Sequence, residues 1–235
     1  MQLILVPGLM CDQAVWQPLL AHLDCKQSDI LIVDHGAASS LTLMAEHILS
    51  QAAPRFAIAG HSMGGRVALE VMRLAPERVT HLALFDTGHT TRASGDAGEA
   101  ERAKRIALLT IAREQSVRAM ALQWVQGMVH PDRLQDADLI ESIVAMMARR
   151  SADVLAAQVE ALLNRPDAAA VLCEVKVPTL IACGRQDTWA NVSQHEAMQA
   201  LLPSADLQVI EDAGHMCSME RPRETALALN TWLSA

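Results

Sequence analysis

The stretch Gly60-His61-Ser62-Met63-Gly64 places one serine between two glycines. That is the spacing of a strand turning abruptly into a helix with a hydroxyl at its apex. The apolar run Phe56–Ala59 before it reads as a buried strand, and Met63–Ala75 after it as a helix ended by Pro76. In such a turn the residues two before and two after the serine approach each other, and glycine removes the side chains that would collide. The Met63 N–H then heads a helix, where partial positive charge favours an anion. A raised hydroxyl beside such a donor suits acyl transfer: a nucleophilic oxygen and a partner for the oxygen that turns negative. The same stretch falls short of a phosphate loop, because Arg66 and Val67 stand where Lys and Ser or Thr are required. There is no G-x-G-x-x-G, so a dinucleotide fingerprint is absent.

A serine hydroxyl needs a base. Of the nine histidines, His215 is distinctive: it follows Gly214 in a loop just beyond the last apolar run, Leu207–Ile210. His61 adjoins Ser62, but neighbours on a sharp turn point apart. The base in turn needs an orienting carboxylate. Two aspartates end apolar runs suitably: Asp187, after Thr179–Cys183 and a Gly184 turn, and Asp86, after His81–Phe85. The order Ser62, Asp187, His215 is one of the known chain orders for such a set.

These residues need a scaffold. Short apolar runs at Leu3–Val6, Ile30–Val33, Phe56–Ala59, His81–Phe85, Thr179–Cys183 and Leu207–Ile210 are mostly continuous rather than alternating, as expected of parallel strands covered on both faces. Helical stretches at Leu41–Ala53, Met63–Ala75, Gln194–Leu202 and Thr225–Leu233 separate or follow them, which predicts an α/β fold. Between Phe85 and Thr179 the alternation stops. Glu99–Ala112, Gln115–Met128, Leu134–Arg149 and Ala152–Leu163 read as four helices inserted between two strands.

Composition narrows the function classes. With 235 residues, one domain with an insertion is expected. The net charge of −8 argues against nucleic acid as the partner. No tyrosine is present, which excludes tyrosyl acid, base or oxyanion donors. Five widely spaced cysteines without a C-x-x-C pair argue against a disulfide framework or structural zinc, and there is no H-E-x-x-H. No signal peptide or membrane span is read, so a cytoplasmic protein is the expectation.

Together the motifs resemble the α/β-hydrolase superfamily, and within it small bacterial serine carboxylesterases and carrier-protein methyl esterases. The resemblance covers almost the whole chain apart from the insertion. It implies a mostly parallel sheet of about six strands in the order second, first, third, fourth, fifth, sixth, without the opening hairpin of larger relatives. The core would comprise residues 1–89 and 171–235, with a helical cap at 90–170. The resemblance assigns His215 as base and prefers Asp187 to Asp86 as acid. Val6-Pro7-Gly8-Leu9 occupies the place of the His-Gly-x of relatives, with Pro7 for the usual histidine, so Leu9 joins Met63 as an oxyanion donor. Trp16, eight residues past Gly8, matches a tryptophan often found there and is assigned to substrate binding. The insertion carries Met120, Leu122, Trp124, Met128, Met146 and Met147. Residues of this kind at helical spacing are more often core, yet as a set they suggest an apolar, adaptable roof, with Trp124 and Met128 at the substrate. Trp189 would line the same cleft.

The leading expectation is a cofactor-free and metal-free serine hydrolase that cleaves small-molecule carboxylic esters with an apolar acyl or alcohol part. Arg66 supports a second reading. A similar arginine in the superfamily's menaquinone-pathway lyase helps hold a carboxylated substrate, so C–C lyase or hydrolase chemistry stays open. A non-catalytic ligand-binding module is the third.

Overall fold

A computed structural model describes all residues, Met1–Ala235. Six strands form one parallel sheet: β1 (Gln2–Val6), β2 (Ile30–Ile32), β3 (Phe56–His61), β4 (Val79–Phe85), β5 (Thr179–Gly184) and β6 (Asp206–Ile210), in the order β2-β1-β3-β4-β5-β6. Number, direction and order are as expected. β3 and β5 are buried along their whole length, which is why they read as unbroken apolar runs. The edge strands β2 and β6 are partly exposed.

Register aligns the strand ends. Val6 pairs with Gly60, His61 with Phe85, Phe85 with Ala182, and Gly184 with Ile210. The loops starting at Pro7, Ser62, Asp86, Arg185 and Glu211 therefore leave the sheet along one edge. In open α/β sheets, this carboxyl edge is where ligands bind.

The helices are α1 (Gln17–Leu20), α2 (Leu41–Gln51), α3 (Met63–Leu74), α4 (Gly95–Glu114), α5 (Val117–Trp124), α6 (Ala137–Ala148), α7 (Ala152–Leu163), α8 (Ala169–Glu174), α9 (Val192–Leu201), α10 (Cys217–Glu220) and α11 (Pro222–Leu233). α3 packs on β1, β3 and β4, and α11 on β4, β5 and β6. No strand lies between β4 and β5, as expected. Two of the expected helices differ. Gln115–Met128 begins at a Ser116 cap, which accepts from the Ala119 N–H, and passes into a 3₁₀ turn after Trp124. Leu134–Arg149 is broken by Asp136, which caps α6 by accepting from the Leu139 N–H. One apolar core of 61 buried residues joins sheet and helical segment, so the segment is packed onto the sheet layer. No helix is long and apolar enough to cross a membrane.

Candidate active site

The turn at Ser62 is strained as anticipated. Its backbone lies at φ 55°, ψ −117°, which costs about 1–3 kcal/mol for a residue with a side chain. Its surroundings hold it there. The Ser62 N–H donates to Phe85 C=O (2.8 Å), and the Thr87 hydroxyl donates to Ser62 C=O (2.6 Å). A Cβ on Gly60 would collide with the Gly64 carbonyl, and one on Gly64 with the Val6 carbonyl. The glycines thus let the turn close on itself and on the loop after β1.

His215 joins two of the expected side chains. Its Nε2 lies 2.8 Å from Ser62 Oγ and its Nδ1 2.7 Å from Asp187 Oδ2. The other Asp187 oxygen accepts the N–H groups of Trp189 (2.8 Å) and Ala190 (2.9 Å). Burial alone would raise the Asp187 pKa, but the facing His215 and these two N–H groups hold it below the usual value. Burial likewise opposes a charged His215, yet the Asp187 carboxylate reverses the sign and moves His215 above 6.5.

The backbone around His215 is clamped. Its N–H donates to Met128 C=O (2.6 Å), and its C=O accepts from His61 Nε2 (2.7 Å). His61 is pushed down to about 3 by burial and by His215, so it is neutral, with its proton on Nε2. Glu220, 4% exposed, accepts the N–H groups on both sides of His215: Gly214 at 2.8 Å and Met216 at 3.3 Å. Its second oxygen accepts the His130 N–H at 2.7 Å. One carboxyl group therefore ties the His215 loop to the helical segment.

Asp86 does not contact His215 by a hydrogen bond. Its Oδ1 accepts the Gly184 N–H (2.9 Å), its buried Oδ2 receives no N–H within hydrogen-bond distance, with His61 Nε2 3.8 Å away, and the Cys217 thiol is its other polar neighbour. Burial and the neighbouring Asp187 charge drive its pKa far above the usual carboxylate range.

Leu9 and Met63 both face Ser62 across a cavity of about 110 Å³. Met63 is the first residue of α3, where the N–H lacks an intrahelical acceptor. The Leu9 N–H makes no hydrogen bond. The Leu9 loop is fixed by Gln158 of α7, which accepts the Met10 N–H (2.8 Å) and donates to Gly36 C=O (3.0 Å). Gly8 packs tightly here: a Cβ would lie 2.9 Å from His61 Nδ1.

Arg66, Arg105, Trp124, Leu162 and Trp189 complete much of the cavity wall. Arg105 and Arg165 share one carboxylate, Glu101, with closest contacts of 3.0 and 2.6 Å. Arg66 has no carboxylate partner within 4 Å; it donates to Thr90 C=O (2.8 Å) and is lowered to about 9 by burial and by Arg165 and Arg105. It remains charged at neutral pH, so this side of the cavity holds uncompensated positive charge. A second, open groove of about 490 Å³ adjoins the cavity and shares Arg105, Trp124 and Trp189 with it.

Of the expected site residues, Ser62, His215, Asp187, Leu9, Met63, Arg66, Trp124 and Trp189 come together. Two do not act as expected. Trp16 is fully buried, edge-on to His61 (6.3 Å) and Phe85 (6.0 Å), and is a core residue beneath the site. Met128 turns its side chain into the core and offers His215 only its carbonyl. Met120, Met146 and Met147 are also fully buried among the helices, so the roof is tryptophan, leucine and arginine rather than methionine. Glu220, Gln158 and Thr87 escaped the sequence reading. Only Glu220 carried a signal, as a carboxylate in an otherwise apolar Met216–Met219 neighbourhood.

Known proteins agree with this layout. A pimeloyl-[acyl-carrier protein] methyl ester esterase of Nitrosomonas europaea is 26% identical over 233 residues, covering 94% of this chain and 91% of the relative. Among solved structures, a thermophilic esterase from Thermogutta terrifontis, solved with malate bound, superposes with a TM-score of 0.85 at 23% identity, covering 100% of this chain and 89% of that one. The enol-lactonase from Burkholderia xenovorans LB400 gives 0.85 at 18%, covering 100% and 92%. The model of the alpha/beta hydrolase family matches residues 3–228, so the chain belongs to the alpha/beta hydrolase family and is an ester hydrolase by its relatives.

Proposed function

We propose that the protein cleaves small carboxylic esters through an acyl-enzyme formed on Ser62. The carrying observation is His215 placed between Ser62 Oγ and Asp187. His215 takes the Ser62 proton as Oγ attacks the ester carbonyl. The Leu9 and Met63 N–H groups receive the developing oxyanion, a contribution of about 3–4 kcal/mol per donor in comparable sites. His215 returns its proton to the departing alcohol oxygen. Water, deprotonated by the same imidazole, then attacks the acyl-enzyme and releases the acid. Asp187 orients the ring and stabilises its charged form.

A panel of p-nitrophenyl esters from acetate to laurate tests this reading. Turnover that falls roughly 10⁴–10⁶-fold in Ser62→Ala, with the fold intact by circular dichroism, is the expected result. Ester cleavage retained in that variant removes Ser62 from the chemistry.

The uncompensated charge of Arg66 favours a second reading, in which a carboxylated substrate is held there and a C–C bond is cleaved. Turnover of a carboxylated diketone without turnover of any ester would select it.

A further inference from the structure

The cavity at Ser62 and the adjoining groove differ in size. The cavity, about 110 Å³, is lined by Ser62 and His215 together with Arg66, Thr87, Gly88 and Leu162, four residues that do not reach the groove. The groove, about 490 Å³, is lined by Ala107, Leu108 and the Trp124 and Trp189 rings, with the charged Glu101, Lys104 and Arg105 also along its wall. Those rings stack with centroids 5.6 Å apart, and the Trp189 centroid is 4.9 Å from that of His215. The indole of Trp189 therefore runs from the imidazole to the groove.

Reaction geometry assigns the two spaces. The alcohol oxygen must leave within reach of His215 Nε2, which protonates it. The chain attached to that oxygen starts beside His215 and meets the Trp189 face. The acyl chain starts from the carbonyl carbon on Ser62, with its oxygen at Leu9 and Met63, and is left with the small, partly charged space beside Arg66. Resting on the ester-cleaving reading of Ser62, we propose that the groove between α4 and α5 is the alcohol subsite, and that the protein selects esters of a short acyl group with a long apolar alcohol. Gly127 matters to this subsite because a Cβ there would sit 3.3 Å from the Trp189 ring and narrow the passage.

Two isomers of identical composition test the direction: hexyl acetate, with the long chain on the alcohol, and methyl heptanoate, with it on the acyl group. Proton release is followed at constant pH, with ethyl acetate as the short reference. Hexyl acetate is expected to exceed methyl heptanoate about tenfold or more in kcat/KM, since several methylenes gain burial in only one orientation. Filling the groove by Leu108→Trp is expected to lower the ratio of hexyl acetate to ethyl acetate at least about fivefold. Methyl heptanoate equal to or better than hexyl acetate overturns the assignment while leaving ester hydrolysis standing, and so does an unchanged ratio in a folded Leu108→Trp variant. The isomer comparison needs no variant. If no ester, including the p-nitrophenyl series, is turned over, the ester-cleaving reading itself fails, and the subsite falls with it.

Discussion

The loops after β4 and β5 leave neighbouring strands at the same level, and each carries a buried aspartate. Their carboxyl groups meet opposite fates. Asp187 receives two backbone N–H groups on one oxygen and the His215 ring on the other. Asp86 receives a single N–H, and its second oxygen has none. Both are almost fully buried, at 3% and 0% exposed, so burial does not separate them. The number of donors does. A carboxylate deprived of water keeps its charge only where protein N–H groups replace that water. Asp187 meets that condition more fully than Asp86, so one strand end supplies an anion to His215 while burial and that anion push the other carboxyl group well above the usual carboxylate range.

The strongest way to break this comparison is Asp187→Asn. It removes the charge, and its amide can hold the imidazole in the wrong tautomer, so kcat is expected to fall roughly 10³–10⁴-fold. The pH profile of wild type and variant sharpens the point. His215 acts as a base only when neutral, and Asp187 raises its pKa above 6.5. Wild-type kcat/KM should therefore fall as pH drops through a value above 6.5, whereas in Asp187→Asn the residual acid limb should shift to lower pH, because burial is then opposed only by Asp86 and Glu220. An unshifted limb would mean that Asp187 does not set the charge on His215.

Glu220→Gln comes next. The amide NH₂ must face either the His130 N–H or the Gly214 and Met216 N–H groups, so the carboxyl group's tie between the His215 loop and the helical segment is broken at one end. A loss of about 10–100-fold in kcat with KM and the acid limb little changed is expected, since small displacements of a base are costly. A fall in thermal stability with kcat intact would give Glu220 a purely structural role.

The smallest effect belongs to Asp86→Asn. An amide is close in shape to a protonated carboxyl, and its oxygen can still accept from Gly184. Expected kcat/KM stays within about threefold of wild type with the same pH profile. A loss of more than tenfold would show that Asp86 works as an anion, and the contrast between the two loops would collapse.

The same contrast separates what is legible in the amino-acid sequence from what is not. The central strands were legible because β3, β5 and the Leu82–Phe85 half of β4 are buried and read as apolar runs. The serine turn was legible because a local spacing, Gly60 to Gly64, is a steric necessity. His215 and Asp187 follow glycines at strand ends, which is also local. The sheet order and the preference for Asp187 over Asp86 came from resemblance, not from residues alone, because donor count depends on where Trp189 and Ala190 turn. Gln158 and Glu220 act across 148 and 90 residues of chain, on the backbone N–H groups of Met10 and His130, and such contacts leave no periodic trace. Trp16 and Met128 were assigned to the substrate for a related reason: spacing shows that a side chain is buried, not whether it faces a core or a cavity. The short helices α1, α8 and α10 span too few turns for a period to appear.

The central claim is that Ser62 is made nucleophilic by His215. It is tested most directly by incubating the protein with a fluorophosphonate and reading the intact mass, then mapping the adduct by peptide. One adduct is expected, on Ser62, formed at a rate that rises with pH through a value above 6.5 and is abolished in His215→Ala. No adduct, an adduct on another residue, or labelling that persists in His215→Ala would contradict it.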